Sequence, residues 1–144
     1  LPILIETAEL LMVKKDIKFV LTGVEDFQCF ILGTEEAFRR VFLNIIKNSV
    51  EAVSEDDGII EIIAEKKEKK LIIRIEDNGI GFSGDFDDYF LPYYTEKISG
   101  SGLGLTISKK IIDLMNGKIE ISNREERGAR VLIKFDLYDP AKAK

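Results

Sequence analysis

Asn44 and Asn48 stand one helical turn apart, away from the apolar positions Phe38, Val41, Phe42, Ile45, Ile46, Ser49 and Val53. Asparagine competes with the backbone for hydrogen bonds and is a poor interior helix former, so a pair off the buried stripe points to use of the side-chain carbonyls. An amide oxygen is a neutral, hard ligand, suited to a Mg²⁺ ion already carrying phosphates and water. The pair reads equally as two solvent-facing amides on a polar helix face. A second group, Asp77-Asn78-Gly79-Ile80-Gly81, directly follows a strand-like run. Its glycines allow positive φ and close approach to the main chain, and its Asp can accept a hydrogen bond from an exocyclic amine such as that of adenine. The same residues also make an ordinary turn. A third, Ser99-Gly100-Ser101-Gly102-Leu103-Gly104-Leu105, opens a helix. Bare amides at a helix N-terminus suit phosphate oxygens, although a flexible hinge has the same composition. It lacks both the strand and third glycine of a dinucleotide fingerprint and the Gly-Lys-Ser/Thr ending of a P-loop. Lys97, just before that run, is placed to reach a terminal phosphate.

Composition narrows the chemistry further. The 144 residues contain no histidine, which removes imidazole acid–base catalysis, His metal ligation and Ser/His or Cys/His triads. The 21 Lys+Arg against 26 Asp+Glu give a net charge of −5, without the basic excess of a nucleic-acid binder. Cys29 is the one cysteine, so an internal disulfide and a Cys-rich zinc site are excluded; lying between the aromatics Phe27 and Phe30, it reads as a small hydrophobe. No apolar run reaches the ~18 residues of a membrane span, and no signal peptide is visible. The chain opens on Leu1 rather than Met, as a fragment of something longer would.

The elements that must position these groups follow from periodicity. Ile3–Val13 reads as a short helix, and Ile17–Leu21 with Phe27–Leu32 as a hairpin around a turn at Gly23–Asp26. Thr34 opens the strongest helix, with Glu35 and Glu36 suited to the dipole of its first turn. Strands are expected at Ile59–Ala64 and Leu71–Glu76 around the charged turn Glu65–Lys70, and at Lys118–Ser122 and Ala129–Leu137 around a polar turn ending at Gly128. A second helix runs from about Leu103 through Ile107, Ile111, Leu114 and Met115 to Asn116-Gly117. Residues 78–101 show no period, and a loop of that length inside a compact domain is usually a lid or binding loop. Paired strands with helices between the pairs predict an α+β fold: a two-layer sandwich with a mixed, mostly antiparallel five-stranded sheet and about three helices on one face. Residues 1–144 are read as one domain.

In order and spacing, these segments resemble the ATP-binding catalytic domain (HATPase_c) of sensor histidine kinases, in the GHKL or Bergerat-fold superfamily. Asn44-Ile45-Ile46-Lys47-Asn48 is similar to the N box, Asp77-Asn78-Gly79-Ile80-Gly81 to the first G box, and Phe90-Leu91-Pro92-Tyr93 to the F box, with Tyr replacing the last Phe. Gly100-Ser101-Gly102-Leu103-Gly104-Leu105 matches the second G box. The resemblance implies that Asn48, helped by Asn44, holds the Mg²⁺ that bridges the ATP phosphates. Asp77 would bind the adenine amino group, with Gly79, Ile80 and Gly81 shaping the pocket and Glu51 beside it. Residues 82–101 would form the ATP lid, in which Tyr94, Thr95, Lys97 and Ser99 face the nucleotide. Lys97 and the amides of Gly100, Ser101, Gly102, Leu103, Gly104 and Leu105 would cradle the phosphates.

Two departures refine this. The Lys-aromatic pair that many sensor kinases carry after the N box is here Glu51-Ala52, a form that resembles the nitrogen-regulation class. The position where GHKL ATPases place a water-activating Glu is Asn44, and an amide cannot accept a proton at neutral pH. Transfer to an acceptor is therefore expected over hydrolysis. With no histidine in the chain, the acceptor would lie on separate dimerisation helices, docked through Tyr89, Phe90, Leu91 and Tyr93. A response-regulator receiver domain is the implied onward partner. No nucleic acid or membrane contact is expected of this domain, and it would be cytoplasmic whether or not its parent kinase is anchored. A GHKL serine kinase of anti-sigma type and a non-catalytic nucleotide-gated module are the competing possibilities.

Overall fold

A computed structural model describes residues 2, 5, 17–23, 29–53, 57–83, 86–90 and 104–139. Their order is β1 (Lys18–Thr22), α1 (Glu35–Ala52), β2 (Ile59–Lys67), β3 (Lys70–Asp77), a short 3₁₀ helix (Phe86–Phe90), α2 (Gly104–Leu114), β4 (Gly117–Asn123) and β5 (Ala129–Asp136). The five strands form one mixed sheet in the order β1-β2-β3-β5-β4, as the α+β reading requires.

Helix α1 begins where its sequence says it should. Thr34 has an extended backbone, and its Oγ1 accepts from the Ala37 amide at 3.1 Å, satisfying one orphan donor of the first turn. The expected stripe Phe38, Val41, Phe42, Ile45, Ile46, Ser49 and Val53 is buried in full. It lies on alternate residues of the sheet: Ile60, Ile62, Ile73, Ile75, Val131, Ile133 and Phe135 belong to the same core, with Ile112 of α2. Fully burying each such side chain contributes roughly 1.5–3 kcal/mol, which fixes the helices against one face of the sheet. The opposite face carries half-buried charged pairs, among them Arg130 Nε donating to Glu76 Oε1 at 2.7 Å.

Three expectations need correction. Among the described residues, Ile17–Leu21 does not pair with the 29–32 part of Phe27–Leu32 as a hairpin. β1 instead pairs parallel with β2, from Lys18 opposite Ile59 to Thr22 opposite Ile63, while Ile31 makes an isolated antiparallel bridge to Leu137. A parallel neighbour requires a crossover rather than a tight turn, and α1 supplies it. In α2 the buried positions are Leu105, Ser108 and Ile112, followed by Met115, whereas Leu114 is 85% exposed. At about 100° per residue Leu114 falls nearly opposite that line. The helix also ends through Asn116, whose φ of 56° takes the left-handed position, so Gly117 is free to begin β4. Finally, the stretch expected to lack regular structure contains the 3₁₀ helix. Of the first expected helix, Pro2 and Ile5 are described and both are helical, with Ile5 against the core; the remainder lies outside the described residues.

Candidate functional site

Asp77 is the last residue of β3 and is 3% exposed. Strand alternation turns it toward the helices, on the same side as Ile73 and Ile75. Its Oδ1 accepts from the Gly79 amide at 2.9 Å and from the Ala129 amide at 3.3 Å. The Ser49 hydroxyl of α1 also bonds this carboxylate. Burial pushes the Asp77 carboxyl above the usual carboxylate range, and the Gly79 and Ala129 amides, Ser49 and the charge of Arg124 offset only part of that rise. The result is an oriented, dry hydrogen-bonding group at the mouth of the helix–sheet interface.

The segment after Asp77 is shaped by contacts with protein. Ile80 donates its N–H to the Ala52 carbonyl at 3.3 Å, anchoring the loop to the end of α1. A Cβ at Gly79 would come within 2.4 Å of that same carbonyl oxygen, so only glycine fits. Gly81 has φ 77°, and a Cβ there would lie 2.8 Å from Asn123 Oδ1. These glycines thus serve close packing of the main chain, a role the sequence alone does not separate from ligand approach. Asn78 turns away from Asp77: its Oδ1 accepts from Ile59 N at 2.8 Å and its Nδ2 donates to Asp57 O at 2.9 Å. Between the two Gly79 and Gly81 bends, the Ile80 side chain is 73% exposed.

Asn44 and Asn48 are both half-buried on α1, and Glu51 is exposed one turn further on. Ser49 and Ala52 place this helix against Asp77 and its loop through the contacts just described. Gly104 begins α2, and among the described residues a Cβ there would meet nothing within 4 Å, in contrast to Gly79. Among the described residues no three His, Cys, Asp or Glu converge as a metal cage. The donor set fits a cation that brings most of its oxygen ligands with it.

Leu91, Tyr93, Tyr94, Thr95, Lys97, Ser99, Gly100, Ser101, Gly102 and Leu103 lie outside the described residues. Of the aromatic segment, Tyr89 and Phe90 are half-buried against the core. The Tyr89 ring meets Phe82 edge-on at 4.7 Å and its hydroxyl accepts from Ser83 N at 2.9 Å; Phe90 O accepts from the Thr106 hydroxyl at 2.8 Å. The Thr106 bond ties the 3₁₀ helix to α2, and the Tyr89 contacts tie it to Phe82 and Ser83. Cys29 is a half-buried free thiol, its pKa raised chiefly by burial, in keeping with a packing role.

Sequence reasoning missed the residues that hold Asp77 from outside its motif. Ser49 is one: a hydroxyl on an otherwise apolar stripe is its signal. Gly128 is another, with φ 108° and its Cα so near Asp77 that an added Cβ would sit 1.7 Å from the Asp77 carbonyl oxygen. Arg124, which donates to Asp77 O, completes the set, while Asn123 and Arg127 hold the following loop at Phe82 and Gly79. No helix among the described residues is long and apolar enough to cross a membrane.

Comparison with known proteins places this geometry. Residues 33–139 match the family HATPase_c, histidine kinase-, DNA gyrase B-, and HSP90-like ATPase. Sporulation kinase B of Bacillus subtilis is 33% identical over 132 residues, covering 90% of this chain and 31% of its own length. A putative NtrY-like sensor histidine kinase of Rickettsia prowazekii is 33% identical over 120 residues, 82% of this chain and 20% of the relative. The chain thus spans about a third or less of the curated relatives it matches. The solved catalytic domain of histidine kinase ThkA superposes with a TM-score of 0.81 at 28% identity, over 94% of this chain and 90% of that one.

Proposed function

This chain belongs to the HATPase_c family of histidine kinase-, DNA gyrase B- and HSP90-like ATPases, and from that premise we propose that it is the Mg·ATP-binding catalytic domain of a sensor histidine kinase. Its γ-phosphoryl acceptor is a histidine on a separate dimerisation domain. The observation that carries this is the buried Asp77 carboxyl, held by the Gly79 and Ala129 amides and by Ser49 of α1, the helix that also carries Asn44 and Asn48. Both stand inside the stretch that matches the family.

Each side chain has a task in this proposal. Asp77 accepts from the adenine amino group, and Ser49 and two amides keep the carboxylate from rotating away. Gly79, Ile80 and Gly81 carry the loop past the base, with the exposed Ile80 side chain offering it an apolar contact. Asn48, with Asn44, lends amide oxygens to Mg²⁺, which neutralises phosphate charge when bound. Glu51 borders this face. Residues 82–101 form the lid; Tyr94, Thr95, Lys97 and Ser99 face the nucleotide from it. The amides of Gly100, Ser101, Gly102, Leu103, Gly104 and Leu105 take phosphate oxygens at the α2 entrance. Such a site works by positioning and charge neutralisation, with little covalent chemistry for the protein. Asn44 cannot act as a general base toward water, which favours transfer over hydrolysis. The Tyr89, Phe90, Leu91 and Tyr93 segment meets the dimerisation helices, and a response-regulator receiver domain receives the phosphoryl group in turn.

Calorimetry with ADP and Mg²⁺ tests the binding half. Wild type is expected to bind, and Asn48→Ala to lose about tenfold in Mg²⁺-dependent affinity, the scale of one ligand. No heat at millimolar ADP overturns the assignment. Incubating the chain with labelled ATP and an added histidine-bearing dimerisation domain tests the transfer half: the product is expected to be acid-labile, and an acid-stable phosphoserine would identify a serine kinase instead.

A further inference from the structure

The turn between β4 and β5 bonds the main chain of the segment 77–82 at Asp77, Gly79 and Phe82. Arg124 Nη1 donates to Asp77 O at 3.1 Å, and Arg127 Nε donates to Gly79 O at 3.2 Å. Asn123 takes both backbone groups of Phe82, accepting from its N–H at 2.7 Å and donating to its carbonyl at 2.8 Å. Gly128 lies against the Asp77 carbonyl, and Ala129 donates to the Asp77 carboxylate. One short turn therefore grips three successive stations of a loop some fifty residues away in sequence.

We propose that this turn is a positioning clamp for base recognition, in which Arg127, Arg124 and Asn123 fix the loop that carries Asp77 and so set its discrimination among nucleotide bases. The clamp rests on the nucleotide assignment above and goes beyond it, since it gives the three residues a task on the loop's main chain rather than on the nucleotide. Guanidinium donors suit the task because a charge-assisted bond to a carbonyl is stronger than a neutral one and resists exchange with water. Arg124 has a share in its own turn as well, donating to Arg127 O at 3.3 Å. Arg127 does not: among the described residues its guanidinium bonds the Gly79 carbonyl alone. That makes it the clean probe. Releasing Gly79 O frees the peptide whose neighbouring N–H fixes Asp77 Oδ1, so the carboxylate loses one of its orienting bonds.

Arg127→Ala and Arg127→Lys, made in the full 144-residue chain, are compared with wild type for ADP and inosine diphosphate, which lacks the exocyclic amine. Arg127→Ala is expected to weaken ADP about fivefold, the effect of one charge-assisted bond partly open to solvent, while changing inosine diphosphate little. The ADP/inosine diphosphate ratio therefore falls. Amide exchange at Gly79 is expected to speed up, thermal stability to stay within about 1 °C because the residue is exposed, and Arg127→Lys to recover part of the ratio. An unchanged ratio in Arg127→Ala, equal weakening of both nucleotides, or a loss that merely tracks a fall in Tm overturns the clamp. Wild type that fails to bind ADP overturns the nucleotide assignment itself, and is told apart because the failure precedes any substitution.

Discussion

The two antiparallel hairpins end in turns of similar composition and opposite consequence. The β2–β3 tip, Glu65 to Lys70, is a run of exposed charges whose strands pair as far as Lys67 opposite Lys70. Its contacts to the end of β5 are Lys69 O accepting from Leu137 N at 2.9 Å and an exposed, hydrogen-bonded ion pair of Lys70 with Asp136. The β4–β5 turn, Asn123 to Gly128, is just as polar. There the donors meet the carbonyls of residues 77–82, and the turn becomes part of the wall behind Asp77. What differs is position in the sheet. Antiparallel pairing sends the β2–β3 tip to the end away from Asp77, whereas Asn123 opposite Ala129 brings the second turn to the end where β3 stops. A polar turn acquires a task only when topology sets its donors against unpaired backbone.

The comparison breaks most visibly at Gly128. Its φ of 108° is one that side chains rarely adopt, and a Cβ would lie 1.7 Å from the Asp77 carbonyl oxygen. Gly128→Ala must move the turn off the loop as well as strain its backbone, and a loss of about 3 kcal/mol or more is expected in urea unfolding, with ADP binding abolished in whatever remains folded. A variant as stable as wild type would mean that the turn and the loop are not in contact.

Asp77→Asn sharpens the comparison by separating what the turn holds from how well it holds. ADP affinity is expected to fall about tenfold to a hundredfold, the range for a hydrogen bond to a charged acceptor. Stability moves the other way. Burial raises the Asp77 pKa above its unfolded value, so the stability this group contributes is complete below the unfolded pKa and is lost as pH rises through the folded one. An asparagine never ionises. The Tm of Asp77→Asn minus that of wild type should therefore grow from acid toward neutral pH, and a difference that shrinks over that interval would contradict the burial argument.

Position in the sheet also explains what the sequence made legible. Thr34, the acidic first turn and the 3.6-residue stripe of α1 are local facts, and the helix stands where they put it. All five strands were legible for the same reason, each a short run bounded by turn residues, β1 among them as Ile17–Leu21. The partner of β1 was not, because a strand of five residues is compatible with either neighbour and only the crossover through α1 selects β2. Asp77, Gly79 and Gly81 were legible as a motif, yet the motif does not reveal that Gly79 is needed for Ala52 and Gly81 for Asn123. Ser49, Arg124 and Arg127 were legible only as a polar residue on an apolar stripe and two charges in a turn. The partners of Arg124 and Arg127 are main-chain atoms, which leave no trace in residue types, and that of Ser49 is a carboxylate on a strand distant in sequence.

The smallest expected effect lies at the other tip. Glu68 has φ 57°, a left-handed conformation that costs an L-residue about 1 kcal/mol and glycine little. Its side chain is exposed, so nothing is lost on removing it except unfolded-state order, which opposes the gain because glycine loses more entropy on folding. Glu68→Gly is accordingly expected to change stability by no more than about 0.5 kcal/mol, in the stabilising direction. ADP affinity and the ADP/inosine diphosphate ratio should stay at wild-type values, because the turn sits at the end of the sheet away from Asp77. A shift in that ratio from a backbone change at Glu68 would show that the two turns communicate through β3, and the division of labour between them would then have to be replaced by a sheet that transmits strain along its central strand.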